Sequence, residues 1–146
     1  MRLLFSCSEL GLGHVSRIVP LAKRLEQYKH EMFFFSGGKA YEILKSEFKS
    51  VYRCTPISWY ENAHGIITSA SLLNLFFPLP LFNPESNSFE FKKSNTWETI
   101  HRYYDLRENI HSIAPDLLIA DGDINALRLA SRWKIPSVYI ANMIRP

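Results

Sequence analysis

Apolar positions follow two rhythms along this chain. From Arg2 to Ser8 they form a short, mostly apolar run ended by Gly11 and Gly13. That is the pattern of a strand covered on both faces. Beyond it the spacing changes, and Val15, Ile18, Ala22 and Leu25 fall on one side of a helix. Ser16 can cap that helix, which places Pro20 near the first turn, where proline costs less than in mid-helix. Glu31 to Ser36 predicts a second strand, broken by Gly37 and Gly38, and Ala40 to Phe48 a second helix. Ser50 to Cys54 is a weaker third strand. Asn95 with Glu98 forms a capping-box pattern. The helix it opens runs to about Ile113, with Ile100, Tyr103, Leu106, Ile110 and Ile113 on one stripe. Pro115 breaks it. Asp116 to Ala120 then reads as a buried strand, Asp121–Gly122–Asp123 as a turn with Asp123 the N-cap, and Ile124 to Trp133 as a helix. After Ile135–Pro136, Ser137 to Ala141 is a last strand.

Strands alternating with helices imply an α/β domain with a parallel sheet. The expected architecture is a Rossmann-like, doubly wound sheet of strand order 3-2-1-4-5 with helices on both faces. One stretch does not fit. Pro56 to Asn95 has no sustained period and is rich in Pro, Ser, Asn and aromatic residues. It reads as a long irregular excursion, with a short helix near Ser69 to Leu75; excursions of this length are usually functional or mobile. Its apolar run Leu72 to Phe82, with Trp59 and Tyr60 upstream, either packs on the sheet or faces an acceptor or a membrane.

Composition narrows the class. At 146 residues with nearly half of them apolar, the chain can bury one core. The net charge of +3 is spread without a basic block, which argues against nucleic acid as a partner. Cys7 and Cys54 lack metal-ligand spacing and sit in strand-like runs, so free buried thiols in a reducing compartment are expected. The chain enters a strand pattern directly from Met1, and no apolar run reaches the ~18 residues of a membrane span. The expected location is therefore the cytoplasm, with peripheral contact at the inner face of the membrane left open.

In an open α/β sheet, ligands bind beyond the carboxyl ends of the strands where the strand order reverses. Two loops meet there: Glu9 to His14, and Asp121 to Asn125. In the first, Gly11 and Gly13 let a ligand approach the backbone, and the following helix points free N–H groups at it, which suits a phosphate. A plain strand-to-helix turn would look the same. The loop is a poor dinucleotide fingerprint: Ser16 stands at the third glycine position, and Ser36–Gly37–Gly38 replaces an acidic residue after the second strand. That counts against an oxidoreductase. His14 opens the helix, whose dipole favours a neutral imidazole able to take a proton from a hydroxyl. Asp121, ending the adjacent strand, could hold that ring; alternatively it only shapes the turn, and His14 only bonds its loop. His30, His101 and His111 read as solvated residues, and His64 lies in the excursion.

Gly11–Leu12–Gly13–His14–Val15–Ser16–Arg17, followed by Leu21, Ala22 and Leu25, resembles the opening of GT-B-fold glycosyltransferases. It is similar to the UDP-glycosyltransferases and to the N-acetylglucosaminyltransferase of peptidoglycan-lipid synthesis. Ala114 to Gly122, with Ala126, Ala130 and Ile135 to Tyr139, is similar to the same N-terminal domain; Pro56 to Asn95 shows almost no likeness. The resemblance implies one Rossmann-like domain over residues 1–146, the acceptor-binding half of a GT-B fold. It also implies an inverting transferase that moves a hexose or N-acetylhexosamine from a nucleotide sugar to a hydroxyl acceptor. The catalytic base would fall on His14 and its assisting carboxylate on Asp121. Glu9, Gly11, Gly13, Ser16 and Asp123 are the candidate acceptor or phosphate contacts. Asp121–Gly122–Asp123 stands where the peptidoglycan branch has a second glycine-rich loop, which favours the histidine–aspartate mechanism over a pyrophosphate acceptor. The acceptor would be a sugar, a lipid-linked molecule or a small hydroxyl compound. The donor, a UDP-sugar in that branch, would be bound mainly by a C-terminal domain, in the same chain or as a separate subunit. No metal and no cofactor beyond that co-substrate is expected, and the domain alone should transfer little. The alternative is a non-catalytic subunit that recruits acceptor for a separate donor-binding chain.

Overall fold

The computed structural model describes residues 1–9, 12–56, 61–62, 65–66, 73–74, 76–83, 88–92 and 94–140. The main sheet has five parallel strands: β1 (Arg2–Cys7), β2 (Glu31–Ser36), β3 (Val51–Arg53), β8 (Leu117–Asp121) and β9 (Ser137–Ile140). They lie in the order β3-β2-β1-β8-β9, the predicted 3-2-1-4-5 order of a doubly wound sheet, with the reversal between β1 and β8.

Strand alternation sorts the core into two layers. Leu3, Phe5 and Cys7 of β1, Phe34 of β2 and Ile119 of β8 face one side. There they pack against Val15, Ile18 and Ala22 of α1 (Leu12–Glu26) and against Ala40 and Leu44 of α2 (Gly38–Glu47). Leu4, Phe33, Phe35, Leu118 and Ala120 face the other side, under Leu106, Ile110 and Ile113 of α3 (Asn95–Ile113) and Ala126, Leu129 and Ala130 of α4 (Ile124–Trp133). Phe34 stacks between Phe5 and Phe48, with ring centroids 4.9 and 4.2 Å away.

Several local expectations are corrected. Helix α1 begins at Leu12, inside the segment expected to be the Glu9 to His14 loop, so Ser16 does not cap it. Its hydroxyl instead donates back to the carbonyl of Gly13 at 2.9 Å, within the helix. Pro20 consequently lies in the helix interior, on its exposed side. The packing of Val15, Ile18 and Ala22 on the sheet holds the helix together across the missing N–H. Helix α2 starts at Gly38 rather than Ala40. A Cβ on its N-cap, Gly37, would come within 2.9 Å of the Cys54 carbonyl, so only glycine fits beneath β3.

Helix α3 is capped by Ser94, whose hydroxyl accepts from the Trp97 N–H at 3.3 Å. Glu98 is therefore one position too late for a capping box, and both it and Asn95 are buried. The stripe of α3 is rotated at its start as well. Ile100 is half exposed, and the covered positions run Glu98, Arg102, Leu106, Ile110 and Ile113. At the other end Ala114 closes the helix in the left-handed region at φ 47°.

The excursion, expected to be irregular, contains two antiparallel pairs. They are β4 (Glu61–Asn62) with β5 (Gly65–Ile66), and β6 (Leu79–Asn83) with β7 (Ser88–Lys92). The alternation in Leu79 to Lys92 is interrupted by Pro80 and too short to register as a period. Of the helix expected near Ser69 to Leu75, Leu73 and Asn74 are helical and the rest lies outside the described residues, as do Trp59, Tyr60 and His64.

Phe34→Ala is expected to lower unfolding free energy by about 3–5 kcal/mol, because both stacking partners lose contact. Urea denaturation of the chain checks this, and a loss below about 1 kcal/mol would contradict the packing described.

Candidate functional site

The carboxyl ends of β1 and β8 meet at the reversal point. Asp121 is the last residue of β8, in register with Cys7 of β1 and Ile140 of β9. It shares strand parity with Ile119, so its side chain turns to the α1 side of the sheet. There it meets His14 in the first turn of α1, Nδ1 to Oδ1 at 2.6 Å. Arg17, three residues on and on the same helix face, closes over the carboxylate. Its Nε donates to Oδ2 at 2.9 Å and one Nη to Oδ1 at 2.7 Å. The Asp121 side chain is fully buried, while those of His14 and Arg17 are 19% and 32% exposed. Nδ1 of His14 is occupied by the carboxylate, and among the described residues its Nε2 has no hydrogen-bond partner.

Gly122 makes this approach possible. Its φ of 72° lies in the left-handed region, and a Cβ there would sit 2.6 Å from Cε1 and 2.9 Å from Nδ1 of His14. The imidazole therefore lies against the turn that follows β8.

Asp123 belongs to the opposite face. Its Oδ1 accepts from the N–H groups of Asn125 and Ala126 at 3.1 and 3.3 Å, the predicted N-cap of α4. Its Oδ2 accepts from Ser6 Oγ and from Arg102, Nε at 3.1 Å and Nη2 at 2.8 Å. Arg102 rises from α3, is almost wholly buried, and also donates to Glu9 at 2.9 Å and to the carbonyls of Thr55 and Cys7. One guanidinium thus ties together the chain segments that leave β1, β3 and β8. Burial opposes its charge, but Asp123 and Glu9 outweigh that and hold Arg102 firmly protonated. Burial likewise works to raise Asp123, yet the Arg102 charge and hydrogen bond leave its carboxyl below the ordinary value of 3.8. Cys7 and Cys54 are free, buried thiols, both pushed up to about 12 chiefly by burial.

The structure thus brings together His14 and Asp121. Gly13 stands at the start of α1 with open space where a Cβ would be. Ser16 is exposed one turn along. Glu9 and Asp123 are engaged by Arg102, so their carboxylates brace the loops. Gly11 lies outside the described residues. Two arginines were not singled out in the sequence. Arg17 could have been found from its i, i+3 relation to His14; Arg102 carried no signal, because it interrupts an apolar stripe. An open cleft of about 530 Å³, lined by Gly38, Arg53, Thr55, Pro56 and Asp105 among others, adjoins the ends of β2 and β3. Among the described residues no group of His, Cys, Asp and Glu could hold a metal ion, and no helix is long and apolar enough to cross a membrane.

No protein-family model matches the chain, and no curated protein sequence does. Solved structures do match its fold. The calicheamicin glycosyltransferase CalG4 is similar with a TM-score of 0.64 at 16% identity, over 100% of this chain and 34% of that one. Acinetobacter baumannii MurG is similar with a TM-score of 0.60 at 12% identity, over 96% and 34%. The C-terminal domain of a Pyrococcus furiosus hydrogenase also matches, with a TM-score of 0.58 at 11% identity, over 95% of this chain and 90% of that domain. At these identities the likeness is one of fold. This chain has the fold of one part of the GT-B glycosyltransferases and spans about a third of the length of the two named.

Two outcomes follow from the buried charges. Arg102→Met strands two carboxylates and is expected to cost about 3–5 kcal/mol, read by urea denaturation. Asp123 binds its proton more weakly folded than unfolded, so its stabilisation is complete above 3.8 and is lost as pH falls through the folded-state value. The melting temperature should therefore drop on acidification below about pH 4, and Asp123→Asn, which keeps a capping oxygen, should flatten that drop. An unchanged acid limb in Asp123→Asn would exclude Asp123 as its source.

Proposed function

We propose that this chain is the acceptor-side half of an inverting, nucleotide-sugar-dependent glycosyltransferase. The observation that carries the reading is the 2.6 Å pairing of His14 Nδ1 with a buried carboxylate, at the reversal point of a GT-B-like sheet. In this reading the ring proton sits on Nδ1 against Asp121, and Nε2 carries the lone pair. An acceptor hydroxyl placed against Nε2 gives up its proton as its oxygen attacks the anomeric carbon of the donor sugar. The new carbon–oxygen bond forms on the face opposite the bond to the nucleoside diphosphate. The old bond breaks with its electron pair on the diphosphate, and the anomeric configuration inverts. Asp121 holds the ring and stabilises the imidazolium that forms.

The sugar would be a hexose or N-acetylhexosamine. Its nucleotide would be held mainly by a second domain, joined to this one or acting as a separate subunit, since this chain spans about a third of the transferases it is similar to. Leu73, Phe76 and Phe77, all exposed, would suit the apolar part of a lipid-linked acceptor at a membrane surface.

His14→Ala, tested with the donor-binding half present, is expected to lower kcat by about 10²–10⁴-fold while donor affinity stays within about twofold. Transfer at the wild-type rate would remove His14 from the mechanism and favour an acceptor-recruiting subunit instead.

A further inference from the structure

Arg17 stands beside the His14–Asp121 pair without a part in proton transfer itself. Its guanidinium takes both oxygens of Asp121, and the Nη2 that reaches Oδ1 also lies 3.1 Å from His14 Nδ1. With the ring proton on Nδ1, that short approach is two donors converging on the one oxygen Oδ1, not a bond between them.

The burial of Asp121 makes this contact consequential. A carboxylate with no solvent exposure needs compensation. Beside a histidine alone it has two ways to obtain it: it can take up a proton, or it can keep the imidazole charged. The second places a proton on Nε2 and leaves no lone pair for an acceptor hydroxyl. Arg17 supplies a third way, a guanidinium that is charged at any working pH and is held still more firmly so by its hydrogen bond to Asp121. Among the described residues, the other groups near the pair do not supply this compensation. Cys7, the register partner of Asp121, is a thiol pushed up to about 12 by burial first and by Asp121 second, and so stays neutral. Glu9, Asp123 and Arg102 form their own ion-paired cluster. Gly122, against which the ring lies, carries no charge.

We infer that Arg17 is a positioning residue for the base: it neutralises buried Asp121 in place of an imidazolium and keeps His14 uncharged, with Nδ1–H on Asp121 and Nε2 open. Its catalytic meaning rests on the proposed transferase reading, but the protonation state it sets can be measured without any transfer. The Arg17 side chain is a third exposed and belongs to neither apolar cluster, so its replacement leaves the apolar packing of both layers untouched.

The test is long-range ¹H–¹⁵N NMR of the histidine rings in the full chain at neutral pH, with His14 assigned by the signal lost in His14→Gln. In wild type, His14 is expected as a neutral ring protonated at Nδ1. Arg17→Gln keeps a hydrogen-bond donor but removes the charge, and should show His14 as imidazolium. Arg17→Lys, which restores the charge, should show the neutral ring again. An imidazolium in wild type, or a neutral His14 in Arg17→Gln, overturns the inference. A second readout uses transfer with the donor-binding half present. Arg17→Gln should lose at least ~10-fold in kcat at mildly acidic pH, recover as pH rises, and leave the acceptor KM within about twofold. An equal loss at every pH would mark a purely structural role and also overturn it. Full activity in His14→Ala would instead end the transferase mechanism while leaving the NMR result standing.

Discussion

Two carboxylates two residues apart are buried at the same edge of the sheet, and each has to find a cation. Asp121 ends β8 and turns toward α1, where Arg17 and His14 meet it. Asp123 lies past the turn and is bound on the other face by Arg102 of α3. Uncompensated, either charge would cost several kcal/mol. That requirement accounts for much of the local architecture. It sets the rotation of α3 that covers Arg102 and exposes Ile100, the path of the Glu9 segment beneath the same guanidinium, and the placement of the first turn of α1 over β8.

Gly122 lets the two halves coexist. Its left-handed backbone separates the two aspartates, and its missing side chain leaves the space that the His14 ring fills. The glycine of the second loop is thus what allows the histidine of the first to reach its carboxylate. Arg102 ties Glu9 to Asp123 across the two segments, and among the described residues His14 has one nitrogen on Asp121 and the other without a partner.

Fold and function separate clearly in this chain. The same five-stranded arrangement matches glycosyltransferases and the hydrogenase domain with similar TM-scores and equally low identities. The architecture therefore does not choose between them. The proposed reading rests instead on the residues at the reversal point, a histidine paired with a buried, arginine-bound aspartate.

The sequence by itself determined the doubly wound sheet, its strand order, the meeting of the Glu9 and Asp121 loops, and the identity of His14 and Asp121 as the pair to examine. These follow from local periodicity and from the right-handedness of parallel crossovers, both of which the chain carries in its own order. Tertiary structure alone decided the rest. Nothing in the spacing of α3 marks Arg102 as buried, because its partners Glu9 and Asp123 lie far away in sequence and on other elements. Arg17 could be placed next to His14 from helical spacing, but only the packing of α1 across β8 puts it on Asp121. The role of Gly122 depends on the imidazole that comes to rest against it. Local pattern records what a segment does with its neighbours in sequence; the pairing of buried charges is settled by which faces of the sheet the helices cover.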